Sequence, residues 1–195
     1  MQIRGTRNKY FLAQEKTINC GETMKEYVIL VDEKDNETGL EEKMKAHEGG
    51  KLHRAFSIFI FNPEGKMLLQ KRAESKYHCG GLWTNACCSH PRKGETVMEA
   101  AHRRLKEEMG FDCELKEAFS FVYKAKFGNG LTEHEYDHVF TGVYGGPEPI
   151  PDKNEVDDFK WIGMIELEKD VSANPDKYTP WFKIALKRLL KSKEI

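Results

Sequence analysis

An excess of charge of either sign is missing from this chain: 31 lysines and arginines stand against 32 aspartates and glutamates, a formal net charge of -1. No overall field therefore recruits nucleic acid or an anionic membrane, and any affinity for phosphate must be local. No N-terminal apolar run resembles a signal peptide or a membrane span. Cysteine is sparse and odd in number: Cys20, Cys79, Cys87, Cys88 and Cys113 lack the density of a secreted disulfide scaffold, which points to a reducing cytoplasm. No internal repeat, low-complexity tract or linker divides residues 24–195. With 195 residues and 39% hydrophobic content, the expectation is one α+β domain with a full core. Residues 1–23 are polar and without period, so they read as an N-terminal extension, and Met24 as the start of the folded domain. Nothing in the sequence speaks to oligomeric state.

Apolar patterning then places the elements. Tyr27-Val28-Ile29-Leu30-Val31 reads as a strand, Asp35 to Gly39 as a turn, and residues 40–46 as a short charged stretch. Period-two alternation over residues 53–61 puts Phe56, Ile58 and Ile60 on one face and Ser57, Phe59 and Phe61 on the other, as in a central strand. Asn62-Pro63-Glu64-Gly65 supplies turn chemistry, predicting a hairpin to a strand over residues 66–71. Residues 96–109 change to helical spacing, with Thr96 and Glu99 as a capping box and Gly110 as the stop. Strands are expected over 119–126, 136–144 and 158–162, and an amphipathic helix over 181–190.

Four clusters carry chemistry. The helix over 96–109 with the loop before it presents Glu95, Arg103, Glu107 and Glu108, with Arg104 one turn before Glu108. Arg103 with Glu107 and Arg104 with Glu108 have the spacing of surface ion pairs. The segment Trp83-Thr84-Asn85-Ala86-Cys87-Cys88-Ser89-His90-Pro91 admits a buried structural cysteine pair, a zinc site with Cys79, Cys87, Cys88 and His90, or chance adjacency. Neighbours on an extended segment point to opposite faces, so Cys87 and Cys88 do not easily share an ion. His134-Glu135-Tyr136-Asp137-His138 matches the zinc-protease pattern H-E-x-x-H, which needs a helix. Glycines before it and the run Val139-Phe140-Thr141-Gly142-Val143-Tyr144 after it favour a strand, on which the two histidines would lie about 13 Å apart. The same strand puts Glu133 and Glu135 on one face, roughly 7 Å apart, able to bracket a cation. The fourth cluster is Lys43-Met44-Lys45-Ala46-His47, followed by His53.

The helix with its preceding loop resembles the Nudix signature, in which a Glu-rich helix lies beside a diphosphate and its magnesium. Two positions depart from it: Ser89 stands where the signature opens on Gly, and Arg104 where it has Glu. The second change removes a hard oxygen ligand and weakens the reading as a pyrophosphohydrolase. Taken together, and in order over most of residues 24–190, the four clusters resemble the metal-dependent, Nudix-like isopentenyl diphosphate isomerases. That resemblance implies a Nudix-like mixed β-sheet sandwich with flanking helices. It implies an isomerase for isopentenyl and dimethylallyl diphosphate, with Cys88, Glu135 and Tyr123 catalytic. His47, His53, His90, Glu133 and Glu135 are implied as ligands of one divalent metal, zinc, manganese or magnesium. Glu108 would hold magnesium with the substrate diphosphate, Lys43, Arg72, Lys76 and Arg104 would face that diphosphate, and Trp181 would form an aromatic wall. The partner so implied is a small isoprenyl diphosphate, without nucleic acid, membrane or flavin.

Overall fold

A computed structural model describes residues 25–192. Met24 and the extension before it, including Cys20, lie outside the described residues. The elements in chain order are β1 (Tyr27–Val31), β2 (Glu37–Glu42), α1 (Lys43–Gly49), β3 (His53–Phe61), β4 (Met67–Arg72), β5 (Trp83–Thr84), β6 (Cys87–Ser89), α2 (Val97–Met109), β7 (Leu115–Lys126), β8 (Thr132–Val143), β9 (Val156–Ile162), α3 (Met164–Ala173) and α4 (Pro180–Ser192).

β3 organises the molecule. It is almost wholly buried and pairs antiparallel with β1 and β6 and parallel with β8, in a register that sets His53 beside Glu135. The alternation expected along β3 divides the core. Phe56, Ile58 and Ile60 pack under α2 with Leu105 and Met109, whereas Phe59 and Phe61 pack on the other face with Phe182, Ala185 and Leu186 of α4. The result is a mixed sheet between helices, with the two apolar clusters supplying most of the burial that stabilises it.

Local chemistry explains the most regular element. Thr96 Oγ1 accepts from the Glu99 amide at 3.2 Å, and Glu99 accepts from the Thr96 amide at 2.9 Å, the reciprocal cap foreseen for α2. Gly110 ends that helix at φ 76°, where a Cβ would also strike the Ile150 carbonyl.

The charged stretch over 40–46, given no element from the sequence, is regular: its first half belongs to β2, antiparallel to β1, and its second half opens α1. The Asp35 to Gly39 turn is likewise shifted, because β2 already begins at Glu37. β3 and β4 meet through the Asn62 turn but share only the closing pair Phe61 and Met67. Beyond it they diverge, since β4 takes β9 as its long antiparallel partner while β3 takes β8. α3 was not expected, because it buries only Leu167 and so leaves no apolar stripe to read.

Candidate active site

One cavity collects side chains from α1, β3, β4, β6, α2, β8, α4 and the segments between them. Its lining includes Lys43, Arg72, Lys76, Cys88, His90, Arg104, Glu108, Glu133, Glu135 and Trp181. His47, His53 and Tyr123 do not line it but stand directly behind His90, Glu133 and Glu135. Residues from α1, β3, β6, α2, β7, β8 and α4, dispersed in sequence, thus converge on one place.

At the inner end the donors are imidazoles and carboxylates. His47 sits on α1 with its Nδ1 donating to the Lys43 carbonyl at 2.7 Å, and His53 donates from Nδ1 to the Lys51 carbonyl at 2.8 Å. A carbonyl can only accept, so these bonds fix the tautomer and turn an Nε2 lone pair inward. Neither Nε2 has a hydrogen-bond partner, and both rings are fully buried. His90 Nε2 lies 3.1 Å and His53 Nε2 3.6 Å from Glu135 Oε1. Burial lowers His47 to about 4 and His90 to about 3, so both imidazoles are neutral and able to ligate at neutral pH. Donor atoms of His47, His53, His90 and Glu135 lie within 4.8 Å of one another, an assembly of nitrogen and oxygen suited to a divalent metal. Orphaned inward lone pairs beside a carboxylate fit such an ion.

The two carboxylates expected to share one cluster stand in two groups of donors that have His47 in common. Glu135 falls among the three histidines, while the donor atom of Glu133 groups with His47 and His78. Tyr123, opposite Glu135 in the β7 and β8 register, joins them again. Its hydroxyl is 2.7 Å from Glu133 Oε2 and 2.6 Å from Glu135 Oε2. A phenol has one proton to give, so in the metal-free protein the trio is satisfied when one carboxyl is protonated and donates back to the phenolic oxygen. Burial and the charge of Glu135 raise Glu133. Burial also opposes ionisation of Glu135, but the imidazoles of His53 and His90 beside it outweigh that and hold it well below the usual range. The shared proton therefore belongs on the Glu133 side.

The outer end is cationic. Arg104 spans Glu108 at 2.5 Å, Glu107 at 2.8 Å and Glu155 at 3.2 Å. Glu108 is buried and also accepts from Gln70 at 3.1 Å, so the Arg104 and Glu108 contact is not the surface pair that four-residue spacing suggests. Lys76 is paired with Glu155 and Lys43 with Glu26. Arg72 sits over the Trp181 ring at 5.3 Å and reaches Cys88 Sγ at 4.0 Å.

Cys88 and Cys87 part as alternation requires. Cys87 packs in the cluster under α2, whereas Cys88 faces the cavity. Among the described residues no cysteine joins a group able to hold a metal, which removes the zinc site of Cys79, Cys87, Cys88 and His90. Burial pushes the Cys88 thiol up despite Arg72 nearby. The segment carrying it is set by Asn85, whose Nδ2 donates to the Ile58 and Cys87 carbonyls, and by Thr84, which bonds Thr179 just before α4. The thiol and Trp181 are thereby tied to a common frame. His134 and His138 lie on β8, not on a helix, and on its other side.

Sequence reasoning missed Gln70, Tyr77, His78 and Glu155, all of which line the cavity. His78 and Glu155 lie in connecting segments with no period to betray them; only the residues packed around them mark them out.

A model of the NUDIX domain matches residues 51–182. The chain is 53% identical to "Isopentenyl-diphosphate Delta-isomerase 2" of Aromatoleum aromaticum over 88% of its length and 90% of that protein's. It is 54% identical to the protein of the same name from Photorhabdus laumondii, over 82% of this chain and 90% of the other. Among solved structures, the MutT protein from Methanosarcina mazei Go1 superimposes with a TM-score of 0.60 at 19% identity, covering 74% of this chain and 96% of that one, a likeness of fold alone.

Proposed function

This chain belongs to the NUDIX domain family and, within it, to the isopentenyl-diphosphate Delta-isomerases, and from that premise we propose that it interconverts isopentenyl and dimethylallyl diphosphate, feeding isoprenoid biosynthesis. The reaction adds a proton to the terminal carbon of the double bond and removes one from the methylene on its other side, so atoms balance without a redox partner. The observation that carries the reading is the Tyr123 hydroxyl within hydrogen-bond reach of both Glu133 and Glu135, beside a cavity that Cys88 also lines.

Protonating an unactivated alkene requires a strong acid held against it. Glu135, receiving through Tyr123 the proton shared with Glu133, delivers it. His47, His53, His90, Glu133 and Glu135 would hold a divalent ion, zinc, manganese or magnesium. When bound, the ion supplies positive charge that acidifies the carboxyl group it touches. Charge then develops at the tertiary carbon, where water must be excluded. The ring face of Trp181, which lines the cavity, stabilises it by about 2 kcal/mol. Cys88 removes the second proton as a thiolate, the form that the Arg72 guanidinium beside it favours.

Lys43, Arg72, Lys76 and Arg104 hold the diphosphate, with Glu108 toward the magnesium that accompanies it. Binding energy at that end orients and desolvates the small hydrocarbon end. Arg104 standing where the Nudix signature has a glutamate turns the helix from ligating a hydrolytic metal to clamping an anion. No helix among the described residues is long and apolar enough to cross a membrane, and the free state of Cys79, Cys87, Cys88 and Cys113 supports placement in a reducing cytoplasm.

Proton NMR tests this directly. Metal-loaded protein incubated with isopentenyl diphosphate and magnesium in deuterated water should yield dimethylallyl diphosphate carrying deuterium, and chelation should stop it. Unchanged substrate would contradict the assignment, and release of phosphate from nucleoside diphosphate derivatives would replace it with a hydrolase.

A further inference from the structure

His78 lies in the segment between β4 and β5, yet it is as well enclosed as a core residue, 7% exposed. Its ring stacks on Phe127 at 4.9 Å and 14° and meets the edge of Trp181 at 5.7 Å. Its carbonyl accepts from Arg72 Nη2 at 3.3 Å. The imidazole is therefore held by packing and by its backbone, and its nitrogens are left over: neither Nδ1 nor Nε2 makes a hydrogen bond. Buried polar atoms are nearly always satisfied, so a ring with both nitrogens unsatisfied needs a reason.

Glu133 supplies one. His78 Nε2 is 2.8 Å from Glu133 Oε1, off the line along which a ring N–H would donate. Two donor atoms at that separation without a hydrogen bond between them are spaced like neighbours around one cation, since octahedral ligands at bonds of about 2.1 Å stand about 3.0 Å apart. His47, whose inward Nε2 is also unsatisfied, lies within 4.8 Å of both donors. Because His47 belongs equally to the group of His53, His90 and Glu135, the two groups are flanks of one donor cavity.

We infer that His78 is a further ligand of the divalent ion in this site, on the flank of Glu133. The inference rests on the proposed metal-dependent site, and it adds a fourth imidazole to the three read from the sequence. It also joins the two ends of the cavity, because the residue that would touch the ion is the one whose backbone Arg72 anchors.

The test is metal binding, independent of turnover. Zinc affinity of metal-stripped protein is measured by competition with a chromogenic chelator for wild type, His78→Gln and, as a control on the other face of β8, His134→Gln. Cobalt-loaded samples give the visible ligand-field spectrum. His78→Gln should weaken zinc by at least ten- to hundredfold and alter the cobalt spectrum, with His134→Gln unchanged. Wild-type affinity in His78→Gln overturns the inference alone, as does weakened affinity with an unaltered spectrum, which would mean that His78 acts only through Glu133. Failure of wild type to bind any ion overturns the site itself. Should His78→Gln not fold, the unmodified protein decides: cobalt loading should produce four sets of hyperfine-shifted imidazole protons, and three sets would exclude His78.

Discussion

The two faces of β8 carry residues of similar kind and opposite fate. Glu133, Glu135 and Asp137 point inward and are buried; His134, Tyr136 and His138 alternate with them and point the other way. On the outer face His138 sits between Asp35 at 3.0 Å and Glu117 at 2.7 Å, and His134 bonds the Gly50 carbonyl. These contacts are partly exposed and individually weak. On the inner face three carboxyl groups are buried, where their charges are tolerated only through Tyr123, Ser57 and the imidazoles around them. Two adjacent positions on a strand can thus belong to different chemistries, and β6 repeats the lesson with Cys87 in the core and Cys88 at the cavity. A motif read as consecutive letters, such as H-E-x-x-H, crosses that boundary and loses its meaning.

The contrast can be broken most severely at Glu135. Glu135→Gln keeps shape but removes the ionisable group, and turnover should fall by about a thousandfold or more, while the melting temperature of the metal-stripped protein at neutral pH falls because the carboxylate's lowered pKa no longer stabilises the fold. Steady-state kinetics with a thermal scan checks both, and retained turnover would remove Glu135 from proton transfer.

A smaller effect, in stability, is expected at Asp137. Burial and then the charge of Glu135 raise its folded pKa well above its ordinary value, and its Oδ1 has no partner. A raised folded pKa means stability that is present below the unfolded value near 3.8 and lost as pH rises toward the folded one. Asp137→Asn escapes that loss. In metal-stripped protein it should raise the melting temperature by about 2–4 °C at neutral pH, with the gain vanishing as pH approaches 4. A gain that is independent of pH would show the cause to be packing.

The smallest effect belongs to the outer face. His138→Ala should cost less than about 1 kcal/mol and leave turnover unchanged, because Asp35 keeps its bond to Arg54 at 2.7 Å. A large loss of activity there would erase the distinction between faces.

Where local chemistry decides, the sequence is legible. The cap of α2, the alternation along β3, the strand identity of β8 and the separation of Cys87 from Cys88 all follow from neighbours within a few residues. α1 is different: seven residues long and without a side-chain cap, it offers no stripe, and it exists where Ala46 and His47 are buried against the sheet. His78 and Glu155 were illegible for a related reason. Their importance comes from Phe127, Trp181, Lys76 and Arg104, brought together by the fold and not by spacing. The divergence of β3 from β4 is also long-range, set by the competing partners β8 and β9.

The central claim is that the residues facing the cavity, and not their immediate neighbours, perform the proton chemistry. Cys88→Ala and Cys87→Ala, compared side by side by proton NMR of isopentenyl diphosphate in deuterated water with magnesium, test it most directly. Cys87→Ala should form deuterated dimethylallyl diphosphate at close to the wild-type rate, and Cys88→Ala should form none while still binding the diphosphate. Isomerisation by Cys88→Ala at the wild-type rate, or its loss in a folded Cys87→Ala protein alone, would contradict the account.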